Sequence, residues 1–429
     1  MQSVYKFFFA ISFIFLTSCF FGPIKELKYQ IEDTFEDDPE GVINPVPAPV
    51  IENSLNLQVS WNKNFLGKPK NNYKFFYQGK KLFVIDDESK LYIVDIDSGE
   101  LINDFFIDND ISAGLAGNQN SIFYVSADGY LCSIDLNGVL LWKIFVGPVL
   151  SPPLVTDHSI VVKTLENKFF SVSILNGSLL WKYNAVSPPL TINSYANLIY
   201  SDGAIFSGLP AGKILSLNAV NGSLFWENTY SIPKGTTDIE RANDSTSSPI
   251  VNNSEIYIIS SRGHLVSLSR ISGKINWSRA LSSFYGININ NDTLFITHNS
   301  GTVYAINKYT NKVRWKNQQL KGRALKKGII YNNFLFVSDY EGYLYALDLD
   351  DGSIQAKIQI GNVPLLDSFI VIDKFLFAIN SNGTIFKINI AEDGNYSAKK
   401  NLPVAEDNEQ IQSISGDNKS IIDNLIFWD

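Results

Sequence analysis

The sequence has few of the residues that form covalent cross-links or metal sites. It contains two cysteines, Cys19 and Cys132, and three histidines, His158, His264 and His298, in 429 residues. Cys19 lies in a processing signal described below, so we expect no internal disulfide and interpret Cys132 as a small buried core residue. No histidine stands in a metal-ligand spacing such as HExxH. A metal site is therefore not expected.

The charge and the apolar runs exclude further classes of protein. The formal net charge is −8 with a pI of about 5.1, and lysines and arginines form no long run, so binding to nucleic acid is not expected. The apolar stretch Phe7–Leu16 has ten residues, about half of what a membrane-spanning helix needs. The sequence also lacks a phosphate-binding loop, a nucleophile elbow and a nucleotide fingerprint. These absences favour a protein that is not an enzyme and holds no cofactor.

What the sequence does contain is an internal repeat. Three copies read "NKFFSVSILNGSLLWK" (167–182), "AGKILSLNAVNGSLFWE" (211–227) and "SGTVYAINKYTNKVRWKN" (300–317). Each copy alternates apolar and polar residues, turns at a Gly or Asn, and resumes the alternation in a run that usually carries Trp, which predicts a β-hairpin. The turn residue recurs about every forty residues, the length of one propeller blade, at Gly99, Gly138, Gly177, Gly222, Gly273, Asn311 and Gly352.

The repeat predicts an all-β fold, an eight-bladed β-propeller of four-stranded blades over residues 55–390. Two more apolar runs separate successive hairpins, so one unit has four strands, and eight hairpin starts can be counted. The last copy, 382–389, lacks a Trp strand, whereas "LQVSWNKNF" (57–65) is a Trp strand without a hairpin. We expect the N-terminal strand to pair into the last blade, which closes the ring and removes an exposed edge. The tryptophans are expected to fill space between neighbouring blades.

The two ends of the sequence read differently from the repeats. Residues 1–19 resemble a lipoprotein signal peptide that closes on "LTSC", so Cys19 is the expected lipidation site, and Phe20 after it favours the outer membrane. Residues 20–54 are acidic and Pro-rich, which predicts a disordered tether. Residues 391–429 form a C-terminal extension of unknown role, whose apolar end "IIDNLIFW" (421–428) could dock as an extra strand.

The repeated pattern G-x-[LVI]-x-[AS]-[LI]-[ND]-x-x-x-G-x-[LI]-x-W resembles the blade motif of the pyrroloquinoline-quinone family of eight-bladed propellers. One branch of that family comprises quinone- and calcium-dependent dehydrogenases, which typically stack the quinone on an adjacent Cys-Cys disulfide. The present sequence has no Cys-Cys pair and lacks long insertions between its repeats. This alternative, a quinone-dependent periplasmic dehydrogenase-like propeller, is therefore less favoured.

The other branch is the BamB-type lipoproteins of the outer-membrane β-barrel assembly machinery. The stretch "DIERANDSTSSPIV" (238–251) is similar to that family's segment "EIDRLSDVDTTPVV", and "LTINSYAN" (190–197) stands where the family has Leu-x-Leu-Arg. Asn193 and Thr246 depart from the family, which has Arg and Asp there. The resemblance implies that these two loops contact a partner, through Leu190, Ile192, Asn193, Arg241, Asp244 and Thr246.

What the resemblance implies about function is a non-catalytic scaffold at the periplasmic face of the outer membrane. Its partner would be the barrel-inserting subunit of the machinery, bound through that subunit's periplasmic domains, and a lipid would hold the protein at the membrane. An exposed strand edge would also suit unfolded outer-membrane proteins. A lectin-like or signalling propeller of the envelope is a third class that the residues alone leave open.

Overall fold

Each repeat folds into one four-stranded antiparallel sheet. The structure is a computed structural model, and it describes residues 44–392 apart from 65–66, 68, 70–74, 108–109, 187–195, 232–246 and 262. It contains 32 strands in eight sheets within those residues, which confirms the predicted eight-bladed propeller. No helix long and apolar enough to cross a membrane occurs in the part of the chain described.

The first four blades follow one another along the chain. Blade 1 consists of β2 (Phe76–Gln78), β3 (Lys81–Ile85), β4 (Lys90–Asp95) and β5 (Leu101–Phe106). Blade 2 consists of β6 (Ile111–Gly117), β7 (Ser121–Ser126), β8 (Tyr130–Asp135) and β9 (Leu140–Phe145). Blade 3 consists of β10 (Leu154–Val155), β11 (Ser159–Lys163), β12 (Lys168–Ser173) and β13 (Leu179–Asn184). Blade 4 consists of β14 (Ile199–Ser201), β15 (Ala204–Leu209), β16 (Lys213–Asn218) and β17 (Leu224–Thr229).

The last four blades include the one that joins the two ends of the propeller. Blade 5 consists of β18 (Ile250–Asn252), β19 (Glu255–Ile259), β20 (His264–Ser269) and β21 (Ile275–Ala280). Blade 6 consists of β22 (Ile287–Asn290), β23 (Thr293–Thr297), β24 (Val303–Asn307) and β25 (Val313–Asn317). Blade 7 consists of β26 (Ile329–Tyr331), β27 (Phe334–Ser338), β28 (Tyr343–Asp348) and β29 (Ile354–Gln359). Blade 8 consists of β30 (Leu365–Ile372), β31 (Phe375–Asn380), β32 (Thr384–Glu392) and β1 (Leu55–Asn64).

Blade 8 closes the ring with the N-terminal strand, as the sequence predicted. β1 is the outer strand of this sheet and runs antiparallel to β32, from Leu55 opposite Glu392 to Asn64 opposite Thr384. A bulge between Val59 and Trp61 shifts the register by one residue. The closure pairs backbone groups that would otherwise form an open edge.

The core lies between the blades. Eight clusters of buried apolar residues are found in the described chain, and each joins two neighbouring blades around the ring. Val94 and Phe377, for example, join blade 1 to blade 8. First strands of neighbouring blades also contact each other, as β2 with β6 and β26 with β30 do, because they surround the central axis. The fourth strands form the outer rim.

The repeated tryptophans connect each blade to the next. The ring of Trp181 covers the turn of blade 4, where a Cβ on Gly222 (φ +70°) would lie 2.5 Å from the ring, and its Nε1 donates to the carbonyl of Ala219 at 3.0 Å. At this turn, the missing side chain of Gly222 leaves room for the ring. Four other tryptophans donate to the equivalent carbonyl of the following blade, namely Trp142 to Ile174, Trp226 to Arg270, Trp277 to Lys308 and Trp315 to Leu349.

The junction between blades 8 and 1 uses a different donor. Trp61 covers Gly99 in the same way, but its Nε1 has no hydrogen-bond partner among the described residues. The equivalent carbonyl, that of Ile96, accepts instead from Nζ of the buried Lys387 at 2.9 Å. The ammonium group also lies 4.0 Å from the centre of the Phe375 ring, which partly offsets the cost of its burial.

The segment before β1 lies along the outside of blade 7 rather than leaving it freely. We name residues 46–54 the strap. Backbone N–H of Ser54 donates to the carbonyl of Gln355 at 2.8 Å, and that of Lys357 donates to Oδ1 of Asn53 at 3.0 Å. Nζ of Lys357 donates to the carbonyl of Pro49 at 2.6 Å. This differs from the expectation of a free tether up to residue 54, because the prolines hold an extended backbone whose carbonyls accept from blade 7.

Candidate functional site

The links between blades all lie on one face of the ring. Adjacent strands are antiparallel in every blade, so each turn between a second and a third strand lies on the same face as each link to the next blade. We call this face the loop face. The opposite face carries the turns between third and fourth strands, and we call it the hairpin face. The two predicted partner loops connect β13 to β14 and β17 to β18, which places their stems on the loop face.

The six predicted partner residues lie outside the described residues, in 187–195 and 232–246, but the stems of both links are well fixed. At the start of the first link, the N–H of Ala185 donates to the carbonyl of Asn167 at 3.0 Å. At the start of the second, the N–H of Tyr230 donates to the carbonyl of Gly212 at 2.8 Å. Each link therefore leaves from the loop-face turn of its own blade.

The two links also meet at their far ends. Backbone N–H of Asn197, two residues before β14, donates to Oγ of Ser248 at 2.8 Å. Oγ of the buried Ser247 donates to the carbonyl of Ile259 at 2.9 Å, which fixes the end of the second link to blade 5. No local sequence pattern predicts the bond between the links, because it joins positions that are fifty-one residues apart.

A second feature of the loop face is a buried ion cluster that the sequence analysis missed. Arg323, on the link from blade 6 to blade 7, is 1% exposed, and its Nε donates to Oδ2 of Asp339 at 2.7 Å. Its Nη2 pairs with Glu341, which is partly exposed. The same carboxylate of Asp339 accepts from the hydroxyl of Tyr345 at 2.9 Å. These contacts satisfy two charges that would be costly to bury alone.

Arg323 also binds the strap. Its Nη1 donates to the carbonyl of Val46 at 2.8 Å, and the N–H of Val46 donates to the carbonyl of Lys321 at 3.1 Å. The strap therefore starts at the loop face and runs across the outer edge of blade 7 to the hairpin face, where β1 begins. The N-terminal segment and the predicted partner loops consequently share one face of the ring.

The polar residues that could suggest catalysis serve the turns. The N–H of Ser98 donates to Asp95 at 2.8 Å, and this bond together with those from Ser98 Oγ and Asp97 lowers the pKa of that carboxyl. The N–H of Val139 donates to Asp135 at 2.8 Å and lowers its pKa in the same way. Nδ1 of His298 lies 2.8 Å from Oγ of Ser300 within its own turn. No group of potential metal ligands is found among the described residues.

Cys132 is buried in the core, as predicted, with 1% of its surface exposed. Burial raises the pKa of its thiol, which disfavours the reactive thiolate. Its place in β8, between blades 1 and 2, is that of a small apolar residue. The sequence offers no second cysteine in the propeller that could form the vicinal disulfide of a quinone site.

Exposed apolar side chains are concentrated on the outer strands of blades 1–4. These strands begin on the hairpin face. We call the first two residues of the four strands, taken together, the apolar rim. All eight side chains are between 43% and 53% exposed, and the pairs are Leu101–Ile102, Leu140–Leu141, Leu179–Leu180 and Leu224–Phe225. The second residue of each pair stands just before the position that Trp142, Trp181 and Trp226 occupy.

Comparison with known proteins assigns the chain to a family. The model of the family described as outer membrane protein assembly factor BamB matches residues 58–317, more than half of the 429-residue chain. The BamB of Nitrosomonas eutropha is 32% identical over 212 residues, which cover 49% of this chain and 52% of that protein. The BamB of Burkholderia pseudomallei is 27% identical over 246 residues, 56% of this chain and 65% of that protein. The match thus spans about half to two thirds of these curated relatives.

Solved structures share the fold at low sequence identity. The crystal structure of BamB from Moraxella catarrhalis has a TM-score of 0.70 at 19% identity and covers 78% of this chain and all of that one. The quinohemoprotein alcohol dehydrogenase of Comamonas testosteroni has a TM-score of 0.64 at 10% identity and covers 78% of this chain and 76% of that one. These two likenesses establish the propeller architecture alone, whereas the family match rests on sequence over most of the ring. The chain belongs to the family of outer membrane protein assembly factor BamB.

Proposed function

We propose that this chain is a non-catalytic scaffold of the outer-membrane β-barrel assembly machinery, and that it binds the barrel-inserting subunit through its loop face. The observation that carries the proposal is the family match over residues 58–317. The two links with the predicted contact residues start from fixed stems and are joined by the Asn197–Ser248 bond. Fixed stems reduce the conformational entropy that the links lose when they bind a partner.

The contact residues are those implied by the family resemblance, Leu190, Ile192, Asn193, Arg241, Asp244 and Thr246. Two variants test them, Arg241→Ala with Asp244→Ala, and Leu190→Ser with Ile192→Ser. Truncating a buried, paired charge at an interface typically costs about 2–5 kcal/mol of binding, and replacing apolar contact residues by Ser removes buried apolar area. We therefore expect each variant to lose capture of the barrel-inserting subunit from mild detergent. The melting temperature should stay near that of the parent.

The matched control is the exposed ion pair of Arg314 and Asp292 on the hairpin side of blade 6. Replacing both residues by Ala removes one pair of charges, as the first variant does, but on the other face of the ring. We expect this control to retain capture. Retained capture by both loop variants would place the binding surface elsewhere, and loss of folding would show that the loops are structural.

The membrane attachment that we propose is a lipid on Cys19, at the periplasmic face of the outer membrane. It rests on "LTSC" directly after an apolar segment of ten residues. Cys19→Ala should leave an uncleaved precursor or release the protein from the membrane fraction, whereas Cys132→Ala, a change in the core, should leave attachment unchanged. Normal processing and attachment of the Cys19 variant would refute the proposal.

The absence of catalysis is part of the same proposal. Among the described residues, the side chains of Asp95, Asp135 and His298 are engaged in turns. A quinone-dependent dehydrogenase would bind quinone in the presence of calcium and show its absorbance. We expect no quinone to bind under those conditions, and a stoichiometric quinone spectrum would favour the enzyme instead.

A further inference from the structure

We propose that the apolar segment 421–428 covers the apolar rim on blades 1 and 2, as an added strand beside β5. The first argument is the contrast around the ring. At the second position of the rim pairs, blades 1 and 2 expose Ile102 and Leu141, whereas blade 6 has Arg314 and blade 7 has Gln355. Exposed apolar residues on an outermost strand invite a further strand.

The chain already covers one outer strand with its own residues. The strap runs along β29, where Ser54 hydrogen-bonds to Gln355. β5, by contrast, is the last strand of its sheet, so one of its edges faces no other strand within the described chain. Leu101 and Ile102 on this edge are 43% and 49% exposed. An extended segment can pair with such an edge through its backbone and place alternate side chains on the apolar residues.

The place where the described chain stops makes the rim accessible to the segment. β32 ends at Glu392 opposite Leu55, on the hairpin face, and blade 1 is the next blade of the ring. Residues 393–420 would then connect Glu392 to the segment. A flexible chain of these 28 residues has a root-mean-square length of about 30 Å, more than the width of about 15 Å of a four-stranded blade.

The composition of the segment suits this surface. "IIDNLIFW" has six apolar residues in eight, whereas the connecting residues 393–420 are mostly polar. Eight residues in an extended strand span about 26 Å, somewhat more than the six residues of β5. The segment is therefore long enough to pair along all of β5, and its two further residues would extend toward the start of β9.

Amide hydrogen exchange of the full-length protein tests the proposal. The variant Leu425→Ser with Phe427→Ser removes two apolar side chains from the segment, and Ile411→Ser with Ile414→Ser is the matched control in the connecting residues. We expect exchange in β5 to be at least tenfold faster in the first variant than in the parent and unchanged in the control.

Two results would overturn the proposal. One is equal exchange of β5 in the parent and in the Leu425→Ser, Phe427→Ser variant. The other is protection of β5 that increases with protein concentration, because a second copy of the chain would then cover the rim. As an independent check, Ile102→Ser with Leu141→Ser should speed exchange of residues 421–428 to the rate of an unprotected peptide.

Discussion

The outer strands of blades 1–4 and of blades 5–8 differ at one position, the residue just before the tryptophan position. Blades 1–4 have Ile102, Leu141, Leu180 and Phe225 there, all exposed. Blades 5–8 have Asn276, Arg314, Gln355 and Ser60. The preceding residue is apolar in all eight blades, but it is exposed in blades 1–4 and at least half-buried in blades 5–8.

The two neighbouring positions serve different purposes: the tryptophan position serves the fold, and the residue before it faces the surroundings of the ring. The position that follows packs against the turn of the next blade, and it is Trp in six of the eight blades, including both halves of the ring. The residue before it is exposed or partly exposed in all eight blades, so packing at that junction does not determine its chemistry. Its chemistry therefore reflects what covers or surrounds the outer rim. Half of the rim is apolar, so it suits contact with another polypeptide segment, and the other half suits water or the strap.

The largest effect is expected from removing the outer strand of the polar half. Deleting residues up to Asn64 takes away β1 and leaves one edge of β32 exposed, while its other edge stays paired with β31. We expect thermal unfolding to lose its cooperativity, and we expect the protein to aggregate, as seen by size-exclusion chromatography. Deleting residues up to 43 keeps the strap and β1, and this control should melt like the parent. An unchanged melting curve of the longer deletion would contradict the observed closure.

A smaller loss is expected at Arg323, which holds the strap on the polar half. Arg323→Ala leaves Asp339 buried without its partner, and breaking a buried pair costs about 3–5 kcal/mol of unfolding free energy. Arg314→Ala breaks an exposed pair on the same half and should cost less than about 1 kcal/mol. Denaturant unfolding measures both. Similar losses in the two variants would mean that the Arg323 cluster does not hold the strap in solution.

The smallest effect on stability is expected from exchanging the chemistry of the two halves. Leu180→Asn with Phe225→Asn makes the rim of blades 3 and 4 polar, and Asn276→Leu with Arg314→Leu makes that of blades 5 and 6 apolar. Each pair should change the unfolding free energy by at most about 0.5 kcal/mol per residue. Fluorescence of a hydrophobic dye should fall in the first variant and rise in the second. The reverse order would refute the assignment of the apolar rim.

Most of the fold could be predicted because its signals are local. Alternation and the turn residues give the hairpins, and the equal spacing of Gly138, Gly177 and similar turns gives the blades. The pairing of β1 with β32 followed from two incomplete repeats, although the strands are far apart in the chain. The place of Cys132 in the core followed from its position in mid-strand.

What could not be predicted depends on contacts between distant residues. The bond of Arg323 to Val46 joins positions 277 residues apart, and nothing near Val46 identifies its partner. The role of Lys387 as a donor to Ile96 is equally non-local. The predicted contacts at Arg241 and Asp244 lie outside the described residues and stay predictions. They rest on family resemblance, which no local pattern could replace.

The strap has a mechanical consequence if the proposed lipid on Cys19 holds the protein by its N-terminal end. Tension applied ahead of residue 44 would first load the bonds of Val46 to Arg323 and of Pro49 to Lys357. Only after these had broken would the force reach Leu55, the first residue of the closing strand. The strap would thus bear a pull from the proposed anchor before that pull reached β1, so the ring would stay closed where β1 pairs with β32.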